Sequence, residues 1–300
     1  MQHTTAAEAP RRLRRRRHSK LRLNRSLGGN ILIFLFMLVC AIVMALPLVY
    51  SISSSLKPLD ELWMYPPKFF VENPTVKNFK DLFGLLGDNW VPFPRYLFNT
   101  LFVAVVGTGG HVILASLCAY ALAKHHFPGQ NLIFRIIVLS LMFSTAVTQV
   151  PSFLIMSKLH MINTYSALIL PAFASSLGLY LMKQFMETSI PDSLLEAARI
   201  DGSGEWHTFW RIVMPLVKPA WMTLIIFSFQ GLWNTGGNVL IQDEELKTLN
   251  YALSQIVSGG IARTGTAAAA TIVMMIVPVA VFLVTQSNVV ETMSTSGMKD

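Results

Sequence analysis

The chain has 300 residues, of which 53% are hydrophobic and only 13% charged, with a mean hydropathy of +0.50. That balance excludes an ordinary water-soluble domain and points to a membrane protein. The net charge is +8, and two cysteines are too few for a disulfide or cysteine-metal framework.

Residues 1–30 form a basic arm with nine Lys and Arg, six of them in Arg11–Arg17 and the others Lys20, Arg22 and Arg25. An arm of this kind directly ahead of an apolar run reads as a topology signal facing anionic lipid, not a nucleic-acid ligand. The run is too long for the core of a cleavable leader, so it reads as a retained first span.

Six windows of at least 18 residues contain no Lys, Arg, Asp or Glu: 26–56, 96–123, 136–157, 159–182, 219–242 and 264–290. About 20 apolar residues cross a bilayer as a helix. Backbone groups inside a bilayer must be satisfied internally, and the continuous run 31–50 excludes the alternation of a barrel strand. The expected fold is therefore an all-α integral membrane protein with six transmembrane helices over 31–290 and a short tail over 291–300. Windows three and four are separated by Lys158 alone, so they form a hairpin turning within Ser157–Thr164. Sixteen basic residues then fall on the side of the arm and eight on the other, which places both termini in the cytoplasm.

Between the first two spans lies a polar outer segment, 57–95, that either faces a partner or caps the bundle. His111 sits inside the second window beside Gly109 and Gly110, where an ionisable group is a functional or a packing residue. Cys40 and Cys118 also fall inside windows, as ordinary packing thiols. No phosphate-binding loop, nucleophile–base pair or complete metal set occurs, and His125 and His126 lack further ligands. Catalytic residues, metal and cofactor are accordingly expected to be absent.

The polar insert 187–219 carries the most information. Ser193 and Glu196 have the spacing of a capping box, predicting a helix over Leu194–Ile200. Gly202 is suited to end it in the left-handed conformation, and Ser203 to cap a second helix. That second helix puts Trp206, Phe209, Trp210 and Val213 near one face and stops before Pro215. The result is a helix–turn–helix knob. Between the fourth and fifth windows, five acids beside four basic groups, Lys183 included, make a flat anionic lipid surface a poor partner for the whole knob, and a protein socket a better one. In the fifth window, Gln230, Trp233 and Asn234 mix amides with an aromatic ring, as a sugar path requires, or pack between helices. The stretch 248–262 is too short to span and reads as a short helix or loop.

Glu196, Ala197, Ala198, Asp201, Gly202, Phe209, Ile212, Pro215 and Pro219 resemble the EAA loop of bacterial ABC importer permeases. Asn99-Thr100, the run Ala119–Gln130, Val150-Pro151, Asn163-Thr164 and Pro171 extend the similarity over residues 30–300 to carbohydrate-type permeases of the six-span maltose-transporter kind. The resemblance implies the type I permease fold and a subunit of an ATP-driven, binding-protein-dependent sugar or oligosaccharide importer in the bacterial inner membrane. It also implies a second homologous permease, two ATP-binding cassette ATPase subunits and an extracytoplasmic sugar-binding protein as partners. Within the loop, Glu196, Ala197, Ala198, Asp201 and Gly202 would couple the permease to the ATPase, Glu196 holding the loop in its socket and Gly202 bending it. The tail ending at Asp300 is similar to a subgroup handling sugars from complex polysaccharides. The alternative, an ion-coupled secondary transporter, needs intramembrane acids or repeats. No window contains Asp or Glu.

Overall fold

The computed structural model describes residues 27–87, 91–236, 239–258, 260 and 263–296; the basic arm up to residue 26 and the tail from residue 297, with Lys299, lie outside them. Among the described residues the regular elements are all helical. In chain order they are α1 (Leu27–Leu56), α2 (Leu59–Leu62), α3 (Lys77–Gly87), α4 (Phe93–Lys124), α5 (Gln130–Ser140), α6 (Thr145–Lys158), α7 (Ser166–Phe173), α8 (Ser176–Ser189), α9 (Asp192–Ile200), α10 (Glu205–Thr208), a π-helical turn at Phe209–Val213, α11 (Met214–Leu216), α12 (Lys218–Trp233), a 3-10 turn at Glu244–Leu246, α13 (Leu249–Val257) and α14 (Thr264–Ser296).

The chain divides into two units at Leu48/Val49. The described part of the first is an uninterrupted helical run with Pro47 near its end. The second holds the remaining elements and the cores described below.

Among the described residues, four helical segments are long and apolar enough to cross a membrane: Gly28–Leu56, Phe93–Lys124, Ser166–Ser189 and Thr264–Gln286. Glu205–Leu216 with Lys218–Trp233, bent by 80°, brings the number to at most five. The sequence windows predict six spans, and the structure differs at the fifth, which is bent, and at the third. Residues 136–157 fall on two short helices, because Ser144 is extended and its hydroxyl accepts the Ala146 N–H at 3.3 Å, restarting the chain as α6. The chain turns between the end of α6 at Lys158 and Ser166. His160 and Asn163 take positive φ there.

Helix α4 is the axis of the second unit, packed by α7, α8 and α12, with α14 against α12. Small residues allow this close approach. A Cβ on Gly107 would lie 2.5 Å from Leu232 Cδ1, and one on Gly178 would lie 2.1 Å from His111 Nε2. His111, buried between α4 and the α7–α8 break, is thus a tight interhelical contact.

At the Tyr96 end of α4, buried polar side chains tie loops together. Asn99 Nδ2 donates to the Glu245 and Lys247 carbonyls at 2.7 and 2.9 Å, and its Oδ1 accepts from Tyr165 O–H at 2.7 Å. Asn163 Oδ1 accepts the Gln242 and Asp243 N–H groups, and Asn78 Nδ2 donates to the Ser55 and Lys57 carbonyls. The segment 57–95 belongs to this structure, since Leu82 and Val91 share a core with Tyr96, Leu249 and Leu253. The stretch 248–262 contributes α13 to the same core.

Candidate functional site

The knob sits at the opposite, Lys124 end of α4. Pro191 occupies the N-cap position in extended conformation, and α9 starts at Asp192 instead of Leu194. The predicted capping box is therefore not formed, because Ser193 already lies inside the helix and α9 begins without a side-chain cap. An ion pair holds the junction instead. Lys124 Nζ lies 2.8 Å from Asp192 Oδ1 and donates to the Ile190 carbonyl at 2.6 Å. The hydrogen bond and charge of that ammonium hold the Asp192 carboxyl below its usual range.

Helix α9 ends in a Schellman motif: Ser203 N–H donates to the Ala198 carbonyl and Gly202 N–H to that of Arg199. Gly202 has φ +79°, the conformation its place after the helix predicted. The second helix starts after Gly204, so Ser203 does not cap it; its hydroxyl instead lies 3.0 Å from that of Thr208.

Glu205 is a hub that sequence reasoning missed. Its carboxylate accepts the Tyr120 O–H at 3.0 Å, lies 3.0 Å from Arg199 Nη2 and lies 3.5 Å from His125 Nε2. It joins α4, the following turn, α9 and α10. The one available signal was that Tyr120, Lys124 and His125 crowd the end of a span while the insert supplies acids.

Below the hub, Phe209, Val213 and Val217 are buried against Ala115, Ala119, Met182, Met186, Ile190 and Leu195. The helix does not stop before Pro215 as predicted. It widens into the π turn at Phe209–Val213 and runs on to Leu216, a common accommodation beside a proline that lacks an N–H. Trp221 Nε1 donates to the Met214 carbonyl at 3.0 Å, satisfying one of the carbonyls left open where the chain bends. Of the four residues placed on one face, Phe209 and Val213 point inward while Trp206 and Trp210 are exposed.

Four of the five proposed coupling residues are exposed on the outer side of this locked frame, and Ala198 is buried. Ala198, Asp201 and Gly202 line an open depression of about 510 Å³ together with Ser203, His207 and Ile212. Glu196 and Ala197 are exposed on the adjoining face of α9, and Ile200, one turn beyond Glu196, is 87% exposed. The Glu196 carboxylate has no partner among the described residues. The arrangement is an exposed face carried on a locked frame.

Of the three residues named for a substrate path, Gln230 and Asn234 stay together and Trp233 turns into the core. Trp233 is fully buried, stacks on Phe229 at 5.7 Å and donates its indole N–H to the Met274 carbonyl. The Gln230 carbonyl accepts both the backbone N–H and the Nδ2 of Asn234. Another face of α12 opens on a cleft of about 260 Å³, through Phe227, Ser228 and Gly231 opposite His111 and Ser175.

Apolar helices of membrane-spanning length and a polar loop locked to one end of α4 define an integral membrane protein. Residues 111–294 match the family described as binding-protein-dependent transport system inner membrane component, and the chain belongs to that family. It is 37% identical over 205 residues to the sn-glycerol-3-phosphate transport system permease protein UgpE of Yersinia enterocolitica serotype O:8 / biotype 1B, covering 67% of this chain and 73% of that one. It is 29% identical over 231 residues to the arabinooligosaccharides transport system permease protein AraQ of Bacillus subtilis (strain 168), covering 76% and 81%. The fold is shared with a bacterial ABC transporter involved in alginate import, at a TM-score of 0.73 and 22% identity over 88% of this chain and 98% of that one. The protein is thus an integral inner-membrane transport subunit, not an enzyme.

Proposed function

We propose that this chain is one permease of an ATP-driven importer of sugars or oligosaccharides. It pairs with a second homologous permease, sits on two ATP-binding cassette ATPase subunits and receives its substrate from an extracytoplasmic binding protein. The oligosaccharide class is supported by the similarity to AraQ, and the fold is shared with an alginate importer. The loop 187–219 is the coupling element: Glu196, Ala197, Ala198, Asp201 and Gly202 present the face that enters the ATPase, and the bundle answers by alternating access.

The observation that carries this reading is the contrast within the knob, whose inner side is locked by Glu205, Lys124 and Phe209 while Glu196 and Ile200 stay exposed. A motion imposed on such a loop passes to α4, α8 and α12 instead of being absorbed. Nucleotide-bound ATPase must favour one bundle conformation by several kcal/mol for transport to follow. On this reading the chain crosses six times, with α5–α6 as one broken crossing and α10–α12 entering through a bend, and both termini lie in the cytoplasm. Substrate meets the cleft around Ser228 and the region of Gln230 and Asn234.

Co-purification of the intact complex, with ATP hydrolysis measured against binding proteins loaded with different saccharides, tests composition and substrate together. Stimulation by an oligosaccharide-loaded protein is expected. Uptake by this chain alone under a proton or sodium gradient would show a secondary transporter instead.

A further inference from the structure

A second groove, of about 560 Å³, runs beside the elbow between α11 and α12, and nothing above uses it. On α4 its wall is the stripe Val105, Thr108, Gly109, Val112 and Ile113; on α12 it is Trp221, Ile225 and Phe229. Eight residues of helix give each wall a length of about 12 Å. Trp210, Met214 and Pro215 close the elbow end. The surface is apolar apart from the buried Thr108 hydroxyl, which has no hydrogen-bond partner.

Charge is sorted along the loop. Glu187, Asp192, Glu196, Asp201 and Glu205 all precede Trp206, and the next acid is Asp243; Arg211 and Lys218 follow the acids. Neither lines the groove itself; Arg211 follows the groove residue Trp210 and Lys218 opens α12 three residues before the groove residue Trp221, so the two cations flank the elbow along the chain. Both cations are exposed, and neither joins an ion pair among the described residues.

Apolar walls, two tryptophans of the kind that settle at a membrane interface, and two unmatched cations form a site complementary to a phospholipid. We propose that this elbow binds one anionic phospholipid, its acyl chain along α4 and α12 and its phosphate between Arg211 and Lys218. The lipid braces the bend through which the knob meets the bundle. The acid-rich half of the knob is left for protein, so lipid and protein take different parts of one loop. The lipid class follows from the groove and its cations; only the choice of the cytoplasmic leaflet rests on the topology proposed above.

The test is native mass spectrometry of the intact complex released from nanodiscs of equimolar phosphatidylcholine and phosphatidylglycerol. The wild type is expected to retain phosphatidylglycerol in preference. Arg211→Gln with Lys218→Gln should lower that preference by about fivefold for each cation removed. Gly109→Leu should abolish retention of both lipids, because a Cβ at Gly109 meets nothing within 4 Å and the added side chain grows into the groove without a clash at its base. Equal retention of the two lipids by the wild type overturns the proposal, as does an unchanged preference in the double variant. Cross-linking of Gly109→Cys or Ile225→Cys to another protein chain would likewise overturn it, since the groove would then be a protein interface. The readout is bound mass, so it stands whether or not the loop couples to an ATPase.

Discussion

The two ends of α4 handle polar groups in opposite ways. At the Tyr96 end, Asn99 and Asn78 are buried and their amides are spent on loop carbonyls. At the Lys124 end, polar groups lock only the inner side of the knob, and Glu196, Ile200 and Trp206 stay exposed. The first end is satisfied within its own chain and holds the loops of 57–95 and 240–251 in register. The second keeps charged and apolar groups in reserve, as a surface does when another chain completes it.

If the knob end is a lever, a change in its bend should uncouple the complex without unfolding it. Gly202→Val places a β-branched residue at φ +79°, a strain of about 1–3 kcal/mol. Stimulated ATP hydrolysis is expected to fall roughly tenfold or more for strain of that size, while binding-protein docking is retained. Wild-type hydrolysis would remove the lever role.

At the satisfied end the reverse is expected. Asn99→Ala leaves two carbonyls and the Tyr165 hydroxyl without their buried partner, at a cost of about 2 kcal/mol. The thermal midpoint of the purified complex should drop, yet hydrolysis per folded complex should stay near wild type. A coupling defect with unchanged stability would erase the distinction between the ends.

Glu205→Ala lies between these cases. Its side chain is half exposed, so each ion pair is worth at most about 1 kcal/mol after solvent screening. Hydrolysis and stability should both decline modestly, as measured on the same preparation. Tyr120→Phe, which removes one of the three contacts, should do less.

The smallest effect belongs to Asp192. Its carboxyl is depressed by Lys124, so the stabilisation is present above the ordinary Asp value and is lost as pH falls through the lower folded value. The thermal midpoint should show a slight acid-side decline below pH ~4, and Asp192→Asn should flatten that decline.

The membrane-spanning character was legible because freedom from charge over a long run is a local property. The break in window three was not, since it depends on one hydroxyl cap at Ser144. The left-handed Gly202 was legible because glycine after a helix carries its own conformational signal. The capping box failed because the helix starts two residues early, after Pro191, and the spacing of Ser193 and Glu196 alone does not register that. Glu205 was invisible for a different reason: its partner Tyr120 is 85 residues away in sequence. Trp233 shows the remaining ambiguity, since a tryptophan beside amides reads alike for sugar stacking and for packing until its N–H is seen donating to Met274.

The account stands most directly on what touches the outer face of α9. Ile200→Cys, in a chain carrying Cys40→Ser and Cys118→Ser, can be cross-linked within the assembled complex in sealed vesicles of known orientation. We expect Ile200→Cys to cross-link to the ATPase subunit and to resist a membrane-impermeant thiol reagent applied from the outer face. Labelling from that face, or cross-links that never include the ATPase, would contradict the coupling role of the knob.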